Sequence, residues 1–274
     1  MVERKINIFN LDDRNNYPHI GHADLHIHSN FSDGKPSVEE IIEYVVKQTD
    51  LNVIAICDHN TIEGALLAQQ IVKQKNYKLD IVIGEEISTK EGHIVGLFLS
   101  EVIPANLSAR QTLQLIKKQN GISVTPHPFF HTRMKSGGEV LMDGVGFITL
   151  MKEKNLIDAI EVINGTPTLT DENLRAQLVN DSLLFKSEVG GGDAHILEAV
   201  GMGMTLFEGK TAEELKFALE YGQTRAISQR WKILALLRYA FFFLPVGVRV
   251  FFYTLIHGKT KKRPQIVNLE NIRN

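Results

Sequence analysis

A single cysteine, Cys57, stands in 274 residues, so no intrachain disulfide can form and nothing points to an oxidising compartment. Flanked by Ile56 and Asp58 at the end of an apolar run, it reads as a buried, inert thiol. An excess of one charge is also missing. The formal net charge of −2 gives no global attraction to nucleic acid, so a polyanion has to be held by local charge or by metal. The opening MVERKINIFNLDD lacks the apolar core of a secretory signal, and the body of the protein is expected to be cytoplasmic. Neither a repeat of solenoid length nor a low-complexity linker interrupts the chain. What is present is a 43% hydrophobic sequence, long enough for one large domain with a buried core and a small appendage.

Short apolar runs alternate with helix-like stretches. ADLHIH reads as a strand, and SVEEIIEYVVKQ as a helix capped by Ser37 with Glu39 and Glu40 in its first turn. NVIAIC, DIVIGEEIS, HIVGLFL, ISVTPH, DAIEVIN and SEVGGGDAH read as further strands. Between and after them come helices over about 61–74, 109–119, DENLRAQLVND and AEELKFALEY, with a helical stretch to about Glu153. SGGEVLMDGVGF reads as a Gly-rich loop. This alternation predicts an α/β fold, and seven strands favour a closed barrel over an open sheet. Nearly every strand ends in a His, Asp or Glu, and in a parallel barrel those ends converge on one face.

On a strand, residues i and i+2 share a side, so His26 and His28 in HADLHIHSNFSDG can grip one metal with both imidazoles. Asp33 in SDG, Asp58 and His59 in ICDHNT, Glu86 in GEEIST, His93 in GHIVGL, His127 in TPHP, and Asp193 with His195 in GGDAH complete the set. Mixed imidazole and carboxylate donors suit zinc, manganese or iron and not calcium. Nine candidates exceed one ion's needs. Asp24 and Asp58 could orient the imidazoles as hydrogen-bond acceptors, or serve in plain structural hydrogen bonds.

In that order, DLHIHSNFSDG, ICDHNT, TPHP and GGDAH resemble the PHP (polymerase and histidinol phosphatase) family of metal-dependent phosphoesterases over roughly residues 22–205. The resemblance implies a seven-stranded (β/α) TIM-like barrel of the PHP type and two or three divalent ions, manganese, zinc or iron, with magnesium a further candidate. It implies one ion on His26, His28, Glu86 and Asp193, a second on Asp33, His59 and His195, and a third on Glu86, His93 and His127. Some family members have His where this chain has Asp33. That harder ligand shifts preference away from zinc. The implied reaction is hydrolysis of a phosphate mono- or diester by a metal-activated hydroxide, with Asp193 and His195 as catalytic residues. His195 or a bound water would protonate the leaving group.

Arg133, in the loop FFHTRMKSGG with His131 and Lys135, is the first choice for a substrate phosphate, because its planar fork suits two oxygens. Phe129 and Phe130 could stack on a base but, beside a buried strand, read first as core aromatics, and Asn164 reads as a polar strand end of open role. A nucleotide, a sugar phosphate and an oligonucleotide end all remain as substrates, but the lack of a basic stripe weighs against a long nucleic acid. Two other readings are a non-catalytic metal-binding or regulatory module and a hydrolase of C–N bonds. The full ligand set disfavours the first, and the absence of a strand-terminal lysine the second.

The sequence divides into a barrel, residues 1–228, and a hydrophobic helical extension with a basic tail, residues 229–274. From Ile233 to Ile256 the extension is apolar apart from Arg238, Pro245 and Arg249, and Lys259, Lys261, Lys262 and Arg263 follow. The proline predicts two short helices joined at Leu244 and Pro245. Three placements are open for them: a membrane interface, contact with the barrel or a second subunit, and a true span, which the two arginines oppose.

Overall fold

The computed structural model describes residues 19–136 and 139–257, without the side chains of residues 131–143, 245–247 and 249–257. Among the described residues, nine strands form one sheet. β1 (Ile20–Ile27), β2 (Val53–Ile56) and β3 (Asp80–Ser88) run parallel, and β4 (His93–Leu97) returns antiparallel between β3 and β5 (Ile122–Thr125). β8 (Ala159–Asn164) and β9 (Ser187–Gly191) continue in parallel with β5. On the other side of β1 lie β10 (Gly203–Glu208), antiparallel to β1, and β11 (Arg225–Ser228), antiparallel to β10. The order is therefore β11-β10-β1-β2-β3-β4-β5-β8-β9. The sheet nearly closes on itself, because the His28 N–H donates to Ala194 O and the Ala194 N–H to His26 O, at 3.0 and 3.1 Å.

The expectation of seven strands is corrected to nine in this sheet by β10 and β11. Arg225–Ser228 is only four residues long and partly exposed, too short for its alternation to stand out. The sheet is also mixed. Only four residues separate β3 from β4, a connection that permits an antiparallel return and no crossover. The two stretches read as loops, FFHTRMKSGG and SGGEVLMDGVGF, instead contribute β6 (His131–Ser136) and β7 (Glu139–Asp143), which pair as a second, two-stranded sheet.

Helices α1 (Val38–Gln48), α2 (Glu63–Lys75), α3 (Ala109–Lys118), α4 (Gly146–Glu153), α5 (Thr170–Val179) and α6 (Ala212–Glu220) surround these strands. Strand residues alternate between two apolar layers. Val53, Ala55 and Cys57 join Leu25, Val82, Val124 and Phe207, while Ile54 and Ile56 pack with Ile41, Ile42 and Val45 of α1. A strand buried on both faces gives the continuous apolar run seen in the sequence. As expected, α1 begins at Ser37. Its hydroxyl accepts the Glu40 N–H and the Glu40 carboxylate accepts the Ser37 N–H, a reciprocal cap typically worth about 1 kcal/mol. α6 lies where the parallel strands start, with its Ala212 N–H on Asp80 and Lys216 Nζ on the Asn120 carbonyl. That leaves the other end of those strands for the histidines.

The expected pair of C-terminal helices is a single helix, α7 (Ile233–His257), continuous through Pro245. A proline in a helix interior forfeits one backbone hydrogen bond, at a cost of about 3 kcal/mol, but does not have to end the helix. Ahead of the proline, Phe241 and Leu244 are exposed. No helix among the described residues is long and apolar enough to cross a membrane.

Candidate metal centre

His26 lies in β1 and His28 follows it, Glu86 lies in β3, and His59, His127, Asp193 and His195 follow β2, β5 and β9. His93 reaches the same edge as the first residue of the antiparallel β4. The structure thus brings together all nine residues that the sequence singled out for metal. Glu86 sits at the middle. Its Oε2 lies 3.3 Å from His26 Nε2, 3.2 Å from His28 Nε2 and 3.5 Å from His59 Nδ1. Its Oε1 lies 3.0 Å from His93 Nδ1 and 3.2 Å from His127 Nε2. Asp193 Oδ1 is 3.5 Å from His28 Nε2 and 3.6 Å from His195 Nδ1. Asp33 stands at the rim, with Oδ1 3.2 Å from His195 Nε2 and Oδ2 3.7 Å from His59 Nε2. Its side chain is 44% exposed, whereas that of Glu86 is 2% exposed.

Electrostatics follow from this packing. Burial raises Glu86, but the imidazoles of His59, His93, His26 and His127 outweigh it and hold the carboxyl well below the usual carboxylate range. Asp193 behaves alike, burial being overcome by His26, His28 and His195. Burial lowers His28, yet Asp193 and Glu86 push it up to about 10. In His59 burial prevails over Glu86, and the imidazole falls to about 4.

The donor set fits divalent cations. Four groups of His, Asp and Glu bring one ligand atom each to within 4.8 Å of one another: His28, Asp33, His59 and His195; His26, Glu86 and His127; His26, His28 and Asp193; and His59, Glu86 and His93. His26 Nε2 and His28 Nε2 face each other at 3.1 Å while both approach Glu86. With His26 Nδ1 on a carboxylate at 3.0 Å, its Nε2 is left as a lone pair turned toward anions, an arrangement that a cation relieves. The buried Nδ1 atoms of His28 and His127 have no hydrogen-bond partner among the described residues. Imidazole and carboxylate oxygen suit zinc, manganese or iron.

The carboxylate on His26 Nδ1 is Glu161, which sequence reasoning missed. It also accepts the His127 N–H at 2.7 Å and an Asn164 amide N–H at 2.9 Å. Asn164 in turn donates to Asp193 Oδ2 at 3.1 Å, which gives the open strand-end position a part in fixing the site. A signal was there: one acid within the apolar strand AIEVIN, where an unpaired charge would be costly. Asp24 and Asp58, read as candidates to orient imidazoles, bind loops instead. Asp24 accepts the N–H groups of His26, Gly192 and Gly201, and Asp58 accepts the hydroxyls of Ser29 and Ser32 at 2.6 and 2.7 Å. Ser29 and Ser32 flank the turn that carries Asp33. A Cβ on Gly64 would come within 2.2 Å of Asp58 Oδ2, so the start of α2 has to be bare there. His127 and Asp193 adopt positive φ angles, 28° and 47°, strained backbone of the kind that concentrates at functional sites.

Of the other candidates, Arg133, with His131 and Lys135, belongs to β6, and these side chains lie outside the described residues. Phe129 packs on the apolar core as expected, and the Phe130 ring stands 6.4 Å from that of His127. His22 pairs with Asp50 at 2.8 Å and takes no part in the cluster. The C-terminal helix does border it. The Phe243 ring lies 6.1 Å from His195, and Trp231 donates its indole N–H to Gly165 O.

Family comparison agrees with this arrangement. Residues 24–159 match the PHP domain, and residues 183–224 match the PHP-associated segment. An uncharacterised protein of Methanocaldococcus jannaschii is 38% identical over 151 residues, which cover 50% of this chain and 87% of that protein. A 5'-3' exoribonuclease of Haemophilus influenzae is 34% identical over 105 residues, 37% of each chain. Among solved structures, a two-domain protein of Bacteroides vulgatus containing a predicted PHP-like metal-dependent phosphoesterase superposes with a TM-score of 0.58. It is 20% identical, over 77% of this chain and 65% of that one. With its motifs, its nearly closed sheet and its cluster of imidazoles around Glu86, this chain belongs to the PHP domain family.

Proposed function

We propose that the protein is a metal-dependent phosphoric ester hydrolase, acting on a mono- or diester such as a nucleotide, a sugar phosphate or the end of an oligonucleotide. The observation that carries this reading is one buried carboxylate, Glu86, facing five imidazoles at 3.0 to 3.5 Å. In this reading His26, His28, Glu86 and Asp193 hold one ion, Asp33, His59 and His195 a second, and Glu86, His93 and His127 a third. Bound divalent ions would supply charge that neutralises phosphate oxygens and acidifies water.

The chain's own residues prepare that chemistry. Glu86 and Asp193 are held ionised by their imidazole neighbours, so both present anionic oxygens at neutral pH. Glu161 fixes the His26 tautomer and leaves Nε2 as a donor of its lone pair. In this reading Asp33, His59 and His195 form the rim where a phosphate would arrive, and a water held there, or His195 when its ring is free of metal, would pass a proton to the leaving oxygen. Arg133, in the hairpin that follows His127, is assigned to the substrate phosphate. The Haemophilus relative is named an exoribonuclease, which makes a short 5'-phosphorylated oligonucleotide the first natural substrate to try.

The test couples metal content to turnover. Purified protein is supplied with manganese, zinc, iron or magnesium and assayed on an aryl phosphate, an aryl phosphodiester and a short 5'-phosphorylated oligonucleotide. Two or three ions per chain with turnover lost in Asp193→Ala supports the proposal. Metal bound without turnover on any ester would replace it with a binding module.

A further inference from the structure

Helix α7 is apolar apart from Arg238 and Arg249, and so apolar a helix is stable where both of its sides are covered. The barrel covers one. Trp231, just ahead of the helix, and Tyr239 and Phe242 within it pack on the core beside α1 and α2, and the Tyr239 hydroxyl reaches Thr166 Oγ1. The opposite side carries Ile233, Leu237, Phe241, Leu244 and Val248, spaced by four, four, three and four residues and therefore stacked in one stripe. All five are exposed, Ile233 at 80% and Phe241 at 77%, and Leu234 beside them at 62%. A contiguous apolar stripe of this kind marks a contact surface.

Charge identifies what covers it. Between Glu220 and Glu270 the sequence holds no acidic residue but nine lysines and arginines, four of them at 259–263, although the whole chain has a net charge of −2. Two copies meeting through this stripe would bring like charges together, which disfavours self-association, whereas an anionic surface would attract them. The stripe itself is hydrocarbon, which suits the acyl boundary of a bilayer and not a nucleic acid. The cover must also lie along the helix, since no described helix can span a membrane.

We propose that α7 is a membrane-docking helix, its outer stripe lying in the interface of an anionic lipid surface that the positive charge of this part of the sequence attracts. The inner side of the same helix reaches His195 through Phe243, so docking sets the metal centre close to the lipid surface. This inference stands independently of the phosphoesterase reading.

The experiment is sedimentation of the full chain with phosphatidylcholine vesicles prepared with and without phosphatidylserine, at low and high salt, beside light scattering without vesicles. Binding is expected to vesicles containing phosphatidylserine and to weaken about tenfold or more at high salt. Leu237→Glu with Phe241→Glu, both on the exposed side, is expected to weaken it about tenfold or more while leaving the melting temperature unchanged. Replacing the basic residues 259–263 by glutamine should remove the dependence on phosphatidylserine. The proposal is overturned if the intact chain ignores anionic vesicles, or if the double variant binds them undiminished. It is equally overturned by a dimer in solution that the double variant dissolves, because a second copy would then be the cover.

Discussion

The floor and the rim of the metal centre are built on different terms. At the floor, His26, Glu86, His127 and Asp193 are buried, and three of them are held by groups outside the set: Glu161 on His26 Nδ1 and on the His127 N–H, and Asn164 on Asp193. At the rim, Asp33 rides on an exposed turn, fastened through Ser29 and Ser32 to Asp58, and His59 is partly open to solvent. The floor is preorganised by hydrogen bonds that a ligand does not have to make, whereas the rim can adjust to what enters. Occupancy is thus expected to be tight at the floor and exchangeable at the rim.

The sharpest way to break that contrast is His26→Ala, which is expected to lower turnover by more than about 100-fold, beyond the range for loss of a supporting residue, and to lower metal content by elemental analysis. Full metal content in that variant would refute the floor assignment. Glu161→Gln keeps the size of the side chain but removes the charge that pairs with His26. Metal affinity, titrated with a competing chelator, should fall about 10–100-fold with the circular dichroism spectrum preserved. An unchanged affinity would show that the floor needs no such support. Asp33→Ala tests the rim, with one ion per chain lost, the rest retained, and turnover reduced about tenfold or more. Loss of every ion together would merge rim and floor into one unit.

The smallest effect lies outside both, at Glu43 of α1. Hydrogen bonds from Lys47, Lys75 and Tyr77 lower this partly exposed carboxyl from 4.5 to about 2. A depressed folded-state pKa adds stability above the unfolded value and loses it as the pH falls, here from about 4.5 towards about 2. Glu43→Gln should flatten that part of a melting-temperature profile slightly and leave metal content alone.

Much of the floor was legible because ligands repeat a strand's period: His26 and His28 share a side, and Asp193 and His195 flank Ala194, which bridges to Ile27. Glu161 was not, since its role depends on a partner 135 residues away and its own strand shows only one acid among apolar neighbours. The alternation of strands and helices gave the fold class, but β10 and β11 have no such rhythm. Their place is set by pairing with β1 and with each other. Pro245 misled for a physical reason, since its penalty is local while the apolar residues on both sides of it continue the helix.

β1 sits between β2 and β10, with Ala23 opposite Thr205, and Asp24 accepts N–H groups from residues 168 and 177 positions later. The strand that brings His26 and His28 is therefore made before its neighbour β10 and secured only once that neighbour follows. At about 5–20 residues per second, roughly 10–40 s of synthesis separate His28 from Glu208. Through that interval one edge of β1 waits unpaired on the ribosome, a template for the wrong neighbour. The architecture that collects ligands from the whole chain leaves the nascent protein, more than the finished one, open to mispairing.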